Sequence, residues 1–137
     1  MIMFGEHVTI TGHIHIAAIE GTRVSIGRDC LVSSDITFRT GDSHSILDAN
    51  TGARVNPFKD ITIGDHVWIE HTATILKGTS IGSHSIVATG AVVVGKRFPD
   101  NCIIGRVPAK IIKEGVDWYA ERIKSNLYKA FDTTMLS

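Results

Sequence analysis

The stretch GDSHSILD, residues 41–48, places a carboxylate, an imidazole and two hydroxyls in four consecutive positions, Asp42 to Ser45. His44 is the group with chemical reach. An unperturbed imidazole titrates at about 6.5, so at neutral pH it can accept a proton and give it back. Such a base works best when a partner on its other ring nitrogen fixes the tautomer. Asp42 is the first candidate for that partner, with Asp35 and the oddly placed Glu20 behind it. Arg54 and Asn56, in the polar segment that follows, are candidates for contact with a ligand. Further on, Lys96, Arg97, Arg106, Lys110 and Lys113 crowd positive charge into one short segment, a composition suited to phosphate groups.

What must position these residues is a repeat. Every sixth residue from Val8 reads Val8, Ile14, Glu20, Ile26, Val32, Phe38, His44, with only Glu20 and His44 breaking the apolar rule. A second run reads Ile63, Ile69, Ile75, Ile81, Val87, Val93 without a break. The fourth position after most of these holds a small or β-branched side chain, such as Cys30, Val67, Ala73, Thr79, Ser85 and Ala91. A period of six is not helical, but it suits short strands punctuated by regular corners. Stacked coils of that kind make a β-solenoid, with the apolar positions forming ladders inside. Residues 45–60, SILDANTGARVNPFKD, fit no hexapeptide register and read as a loop pushed out from a corner. His44 is therefore the last ladder position before that loop, at the edge of a groove.

The totals agree with one domain of 137 residues. At 43% hydrophobic but only 7% aromatic, the core must be built from small and β-branched aliphatics. Fourteen basic residues balance fourteen acidic ones, which argues against a general nucleic-acid binder. Cys30 and Cys102 show no disulfide or zinc-knuckle spacing and read as free structural thiols. There is neither a signal-peptide pattern nor an apolar run long enough for a bilayer, so the expectation is a cytoplasmic protein without membrane insertion. Residues 117–131 carry Trp118, Ile123, Leu127, Ala130 and Phe131 at spacings that predict an amphipathic helix, with Asp117 as N-cap, covering the solenoid end or a subunit contact.

The Ile-Gly-x-x-Ser/Ala-x pattern over residues 8–113 resembles the hexapeptide repeat of the left-handed parallel β-helix acyltransferases. The resemblance implies an all-β fold: a left-handed prism over residues 1–113, with the loop 45–60 extruded and a C-terminal α-helix and tail over 114–137. GDSHSILD, the loop and then ITIGDHVWIE look like the active-site segment of galactoside, maltose and surface-polysaccharide O-acetyltransferases. By that resemblance His44 is the general base that deprotonates an acceptor hydroxyl as it attacks the thioester of acetyl-CoA. Trp68, beyond the loop, matches the residue whose backbone N–H receives the oxyanion, although Glu70 stands where relatives have Gly. His71 and Thr89 fall where the cofactor is contacted. The segment GKRFPDNCIIGRVPAKIIK is similar to the family's C-terminal stretch, with Pro99, Asn101, Pro108, Ala109 and Lys110 matching, and its cations Lys96, Arg97, Lys110 and Lys113 would meet the CoA phosphates. The family assembles as homotrimers with sites between subunits, and the tail looks like enzymes of surface-polysaccharide biosynthesis.

Other readings stay open at this point. The same base serves N-acetylation of a nucleotide-sugar or other small acceptor. A non-catalytic solenoid predicts that His44 is dispensable. The γ-class carbonic anhydrases share the implied fold and hold zinc with three histidines, but His66 and His71 sit one place off those ligands in the repeat, so no metal is assigned. His66 and His84, one coil apart in the repeat, instead stack on one face of adjacent coils. The acceptor itself is not legible.

Overall fold

The computed structural model of the chain describes residues 1–121. The first coil comprises β1 (Ile2–Phe4), β2 (Thr9–Ile10) and β3 (Ile14–Ala17), and the second β4 (Val24–Ile26), β5 (Leu31–Val32) and β6 (Ile36–Arg39). The third holds β7 (Ile61–Ile63), β8 (Trp68–Ile69) and β9 (Thr74–Leu76), and the fourth β10 (Ser80–Ile81), β11 (Ile86–Val87) and β12 (Val92–Val93). Then come β13 (Arg97–Phe98), β14 (Cys102–Gly105) and β15 (Lys110–Glu114). Each coil gives one strand to each of three sheets, ordered β1-β4-β7-β10-β13, β2-β5-β8-β11-β14-β15 and β3-β6-β9-β12. All pairings between these strands are parallel except that of β15, which folds back antiparallel on β14. The molecule is a left-handed parallel β-helix.

The ladders close as the repeat dictates. Ile26, Val32, Phe38, Ile63, Ile69, Ile75, Ile81, Val87 and Val93 are all buried, as are the small residues four places on: Cys30, Val67, Ala73, Thr79, Ser85 and Ala91. Both thiols are free, and burial raises their pKa above the ordinary thiol value. The prism turns its first corner through left-handed backbone at His7, Asp29, His66, His84 and Asn101, with φ between 51° and 60°. Asn, Asp and His tolerate that region better than other side chains, which explains their recurrence there.

Coil length departs from the repeat in three places, the last a step of 17 from Ser80 to Arg97. Thr62 pairs with Ser80 and Trp68 with Ile86, a step of 18, but Ile2 pairs with Val24, a step of 22, and Val24 with Ile61, a step of 37. The excess in the longest step is the extruded loop. The smaller excess in the first coil corrects the reading of Glu20 as a ladder position. Ile16, not Glu20, pairs with Phe38, and Ile10, not Ile14, pairs with Val32. Glu20 is an exposed corner residue with φ 45°. Buried Thr40 anchors that corner, its Oγ1 accepting from the Ile19 N–H at 2.9 Å and from the Thr22 hydroxyl at 2.7 Å.

The predicted C-terminal helix falls mostly outside the described residues. Within them, Asp117 to Glu121 are irregular, and Asp117 does not open a helix. Trp118 instead docks on the first corner, its indole stacked on the His66 ring at 3.9 Å between centroids. No helix among the described residues is long and apolar enough to cross a membrane.

Candidate active site

The loop is an organised hairpin. Leu47 and Arg54 form an antiparallel bridge, and the Val55 N–H donates to the Ile46 carbonyl at 2.8 Å. Asp48 closes the tip by accepting the Asn50 and Thr51 N–H groups, each at 2.8 Å, and the Thr51 and Asn50 donors hold its carboxyl below the usual carboxylate range. The base of the loop is fixed by the Lys59 N–H donating to the Thr40 carbonyl at 2.9 Å. Phe58 lies directly over Gly41, where any Cβ would collide with its ring. The guanidinium of Arg54 in turn covers the Phe58 ring at 4.5 Å.

Buried Asn56 organises the inside of the loop. Its Nδ2 donates to the His44 carbonyl at 2.8 Å and to Asp42 Oδ2 at 2.9 Å. Its Oδ1 accepts from the Ile46 N–H at 2.8 Å and from Arg54 Nε at 3.2 Å. Every polar capacity of the amide is thus used. This corrects the expectation that Asn56 contacts a substrate: it holds the backbone that carries His44. His44 itself is exposed at the loop's origin, outside the prism.

Asp42 does not serve as the expected ring partner of His44. Its Oδ2 accepts from Lys77 Nζ at 2.7 Å as well as from Asn56. Lys77 first and Asn56 second hold the Asp42 carboxyl below its ordinary pKa. The tie between Asp42 and His44 therefore runs through the Asn56 amide and reaches the His44 backbone. Asp42 and Lys77 also line a groove of about 400 Å³, with Arg39, Lys59, Leu76 and Val94 around it. Arg39 Nη2 donates to the Ser43 hydroxyl at 3.2 Å, tying the groove to the residue before His44.

The other sequence-predicted residues lie elsewhere on the protomer. Trp68 is in β8, in the second sheet, whereas His44 follows β6 of the third. The Trp68 N–H donates to the Ser85 carbonyl at 3.0 Å. The expectation that this N–H receives an oxyanion is therefore corrected, because the ladder between coils already uses it. His71 and Thr89 are exposed at the corner between the second and third sheets, on adjacent coils. His71 Nδ1 lies 3.0 Å from the Ser34 carbonyl and 2.8 Å from its hydroxyl. With its proton on Nδ1 the ring donates to the carbonyl, and in the other tautomer Nδ1 accepts from the hydroxyl. The clustered cations do not make one patch. Lys96 is at the corner that carries the loop, Arg97 on the first sheet, and Lys110 and Lys113 on β15 at the end of the second. Coil geometry separates what sequence proximity had grouped. Arg54 keeps an exposed position with two guanidinium nitrogens tied to Asn56. Sequence reasoning missed Arg39, Gly41, Phe58 and Lys77, because only long-range pairing, as between Asp42 and Lys77, reveals them.

Residues 60–95 match the family described as bacterial transferase hexapeptide (six repeats). Similarity extends well beyond that segment. A polysialic acid O-acetyltransferase of Neisseria meningitidis is 36% identical over 88% of this chain and 56% of its own length. The chain carries the hexapeptide repeat and is similar to this acetyltransferase over most of its own length. Among solved structures, the polySia-specific acetyltransferase NeuO superposes with a TM-score of 0.84 at 34% identity, over 91% of this chain and 52% of that one. A hexapeptide-repeat-containing acetyltransferase of Vibrio cholerae O1 biovar eltor, complexed with acetyl coenzyme A, gives 0.66 at 26% identity, over 82% of this chain and 60% of that one. The chain thus spans a little over half the length of these hexapeptide-repeat relatives.

Proposed function

We propose that this chain carries out acetyl-CoA-dependent O-acetylation of a sugar hydroxyl on a surface polysaccharide, with His44 as general base. The observation that carries the reading is an exposed imidazole whose backbone is pinned by a fully bonded, buried amide beside an open groove. His44 takes the proton of the acceptor hydroxyl as that oxygen attacks the thioester carbonyl. The new C–O bond forms, the C–S bond breaks, and the proton returns from the imidazolium to the departing CoA sulfur. With the Trp68 N–H held in the ladder, the oxyanion needs a different donor.

Lys77 is paired with Asp42, but Arg39 and Lys59 leave the groove lining net positive, which favours an acidic saccharide chain. That fits relatives named for polysialic acid. A homotrimer completes the reading, with His71 and Thr89 of one protomer facing the loop of its neighbour and the acetyl donor lying between them. Ile46, Leu47 and Val55 on the loop are each more than half exposed, apolar surface of the kind that subunit packing covers. The test is acetyl-CoA turnover against neutral and sialylated oligosaccharides, with the His44→Ala variant as control and light scattering for the assembly. Turnover unaffected by His44→Ala sinks the proposal.

A further inference from the structure

We propose that His66, His84 and Asp117 form a binding site for one divalent transition-metal ion, completed by the Trp118 carbonyl, which clamps the chain after β15 onto the first corner of the prism. Among the described residues, His66, His84 and Asp117 offer ligand atoms that all lie within 4.8 Å of one another. Coil stacking accounts for the two histidines, which occupy the same left-handed corner position of adjacent coils, with φ 51° and 60°. It does not account for a carboxylate and a carbonyl arriving there from the far end of the fold.

The spacing suits a tetrahedral ion. Zinc bonds of about 2.0–2.1 Å to nitrogen and oxygen put neighbouring ligand atoms about 3.3 Å apart. Asp117 Oδ1 is 3.2 Å from His84 Nδ1 and 3.7 Å from His66 Nε2, and the Trp118 carbonyl is 3.1 Å from His66 Nε2. Two imidazoles with one carboxylate favour Zn²⁺, Co²⁺ or Ni²⁺ over Mg²⁺ or Ca²⁺, which prefer all-oxygen shells. The surroundings brace the site. Trp118 stacks on the His66 ring, its Nε1–H donates to the His66 carbonyl at 2.7 Å, and its own backbone N–H donates to Asp117 Oδ1 at 2.8 Å. The loop carrying His44 leaves the prism at a different corner, so the proposed role is structural.

Zn²⁺ is titrated into untagged, metal-stripped protein by calorimetry, and Co²⁺ by its ligand-field absorption. About one ion per chain is expected, with an intense four-coordinate cobalt spectrum. His84→Ala and Asp117→Asn should each weaken Zn²⁺ binding at least about tenfold, roughly the loss that even outer-shell changes cause. His15→Ala, on the exposed side of β3, should leave binding unchanged. Thermal melts verify folding, and His84→Gln replaces His84→Ala if the latter does not fold. Absence of binding by the wild-type chain overturns the site. So does equal affinity in the His84 and Asp117 variants, which would mean scattered surface histidines.

Discussion

The buried amide of Asn56 holds the His44 carbonyl at 2.8 Å and the Asp42 carboxylate at 2.9 Å, so the start of the loop and its end are locked as one unit. A flipped amide would turn an oxygen toward both acceptors and break all four bonds, which leaves one orientation. The proposed base thereby gains a fixed backbone while its ring stays open to solvent.

Removing the imidazole tests the chemistry directly. His44→Ala should lower turnover by ~10²–10⁴-fold while leaving CoA affinity and the melting temperature close to wild type, because the side chain is exposed. Steady-state kinetics and calorimetric titration with CoA read both outcomes.

Asn56→Ala separates positioning from chemistry. It leaves the Ile46 N–H and the His44 carbonyl without their partner, at a cost of about 1–3 kcal/mol in stability. Misplacement of His44 should lower kcat by up to about 10²-fold. A variant that melts early but turns over normally would show that the amide serves only the fold.

Gly41 and Phe58 form a second lock. Gly41→Ala puts a Cβ where the Phe58 ring lies, so the ring and the Arg54 guanidinium above it must move. Turnover should fall in Gly41→Ala. The double variant Gly41→Ala/Phe58→Ala should be no worse than Phe58→Ala alone, because the clash is then gone. A double-mutant cycle on kcat/KM measures that coupling.

The ladder and the surface should respond oppositely to truncation. Ile75→Ala empties a fully buried position and should cost ~2–5 kcal/mol. Thr62→Ala changes an outward-facing side chain of β7 and should stay within about 0.5 kcal/mol. Urea unfolding of both variants decides it.

Acid should loosen the loop through Asp42. Lys77 and Asn56 depress its folded pKa below the ordinary 3.8. Its contribution is therefore fully present above that value and lost as pH falls through the lower folded value. Carbon-detected NMR titration should place the Asp42 midpoint below 3.8 in the wild-type chain and move it upward in Lys77→Met.

The solenoid was legible in the chain because its determinant is local and periodic. An apolar residue every six positions specifies a ladder whichever coil it joins, so Ile63 to Val93 could be placed without coordinates. The reading slipped at Glu20, where extra residues at a corner keep the apolar rhythm nearly intact while moving Ile16 into the place expected for Glu20. Trp68 illustrates a different limit. Its position in the repeat was clear, but the partner of its N–H is the Ser85 carbonyl on the next coil.

By itself, then, the sequence determined the coiled prism and a loop leaving it near His44, since each depends on side-chain size and polarity repeated at short range. That His44 is an exposed loop residue and not a ladder position was decided by the fold. Only the tertiary structure decided that Asn56 is scaffold, that Asp42 belongs to Lys77, that the clustered cations are scattered, and that Asp117 meets two histidines. Those relations join residues far apart in the chain, and their geometry exists only once stacked coils and inserted residues have fixed which corner each one reaches.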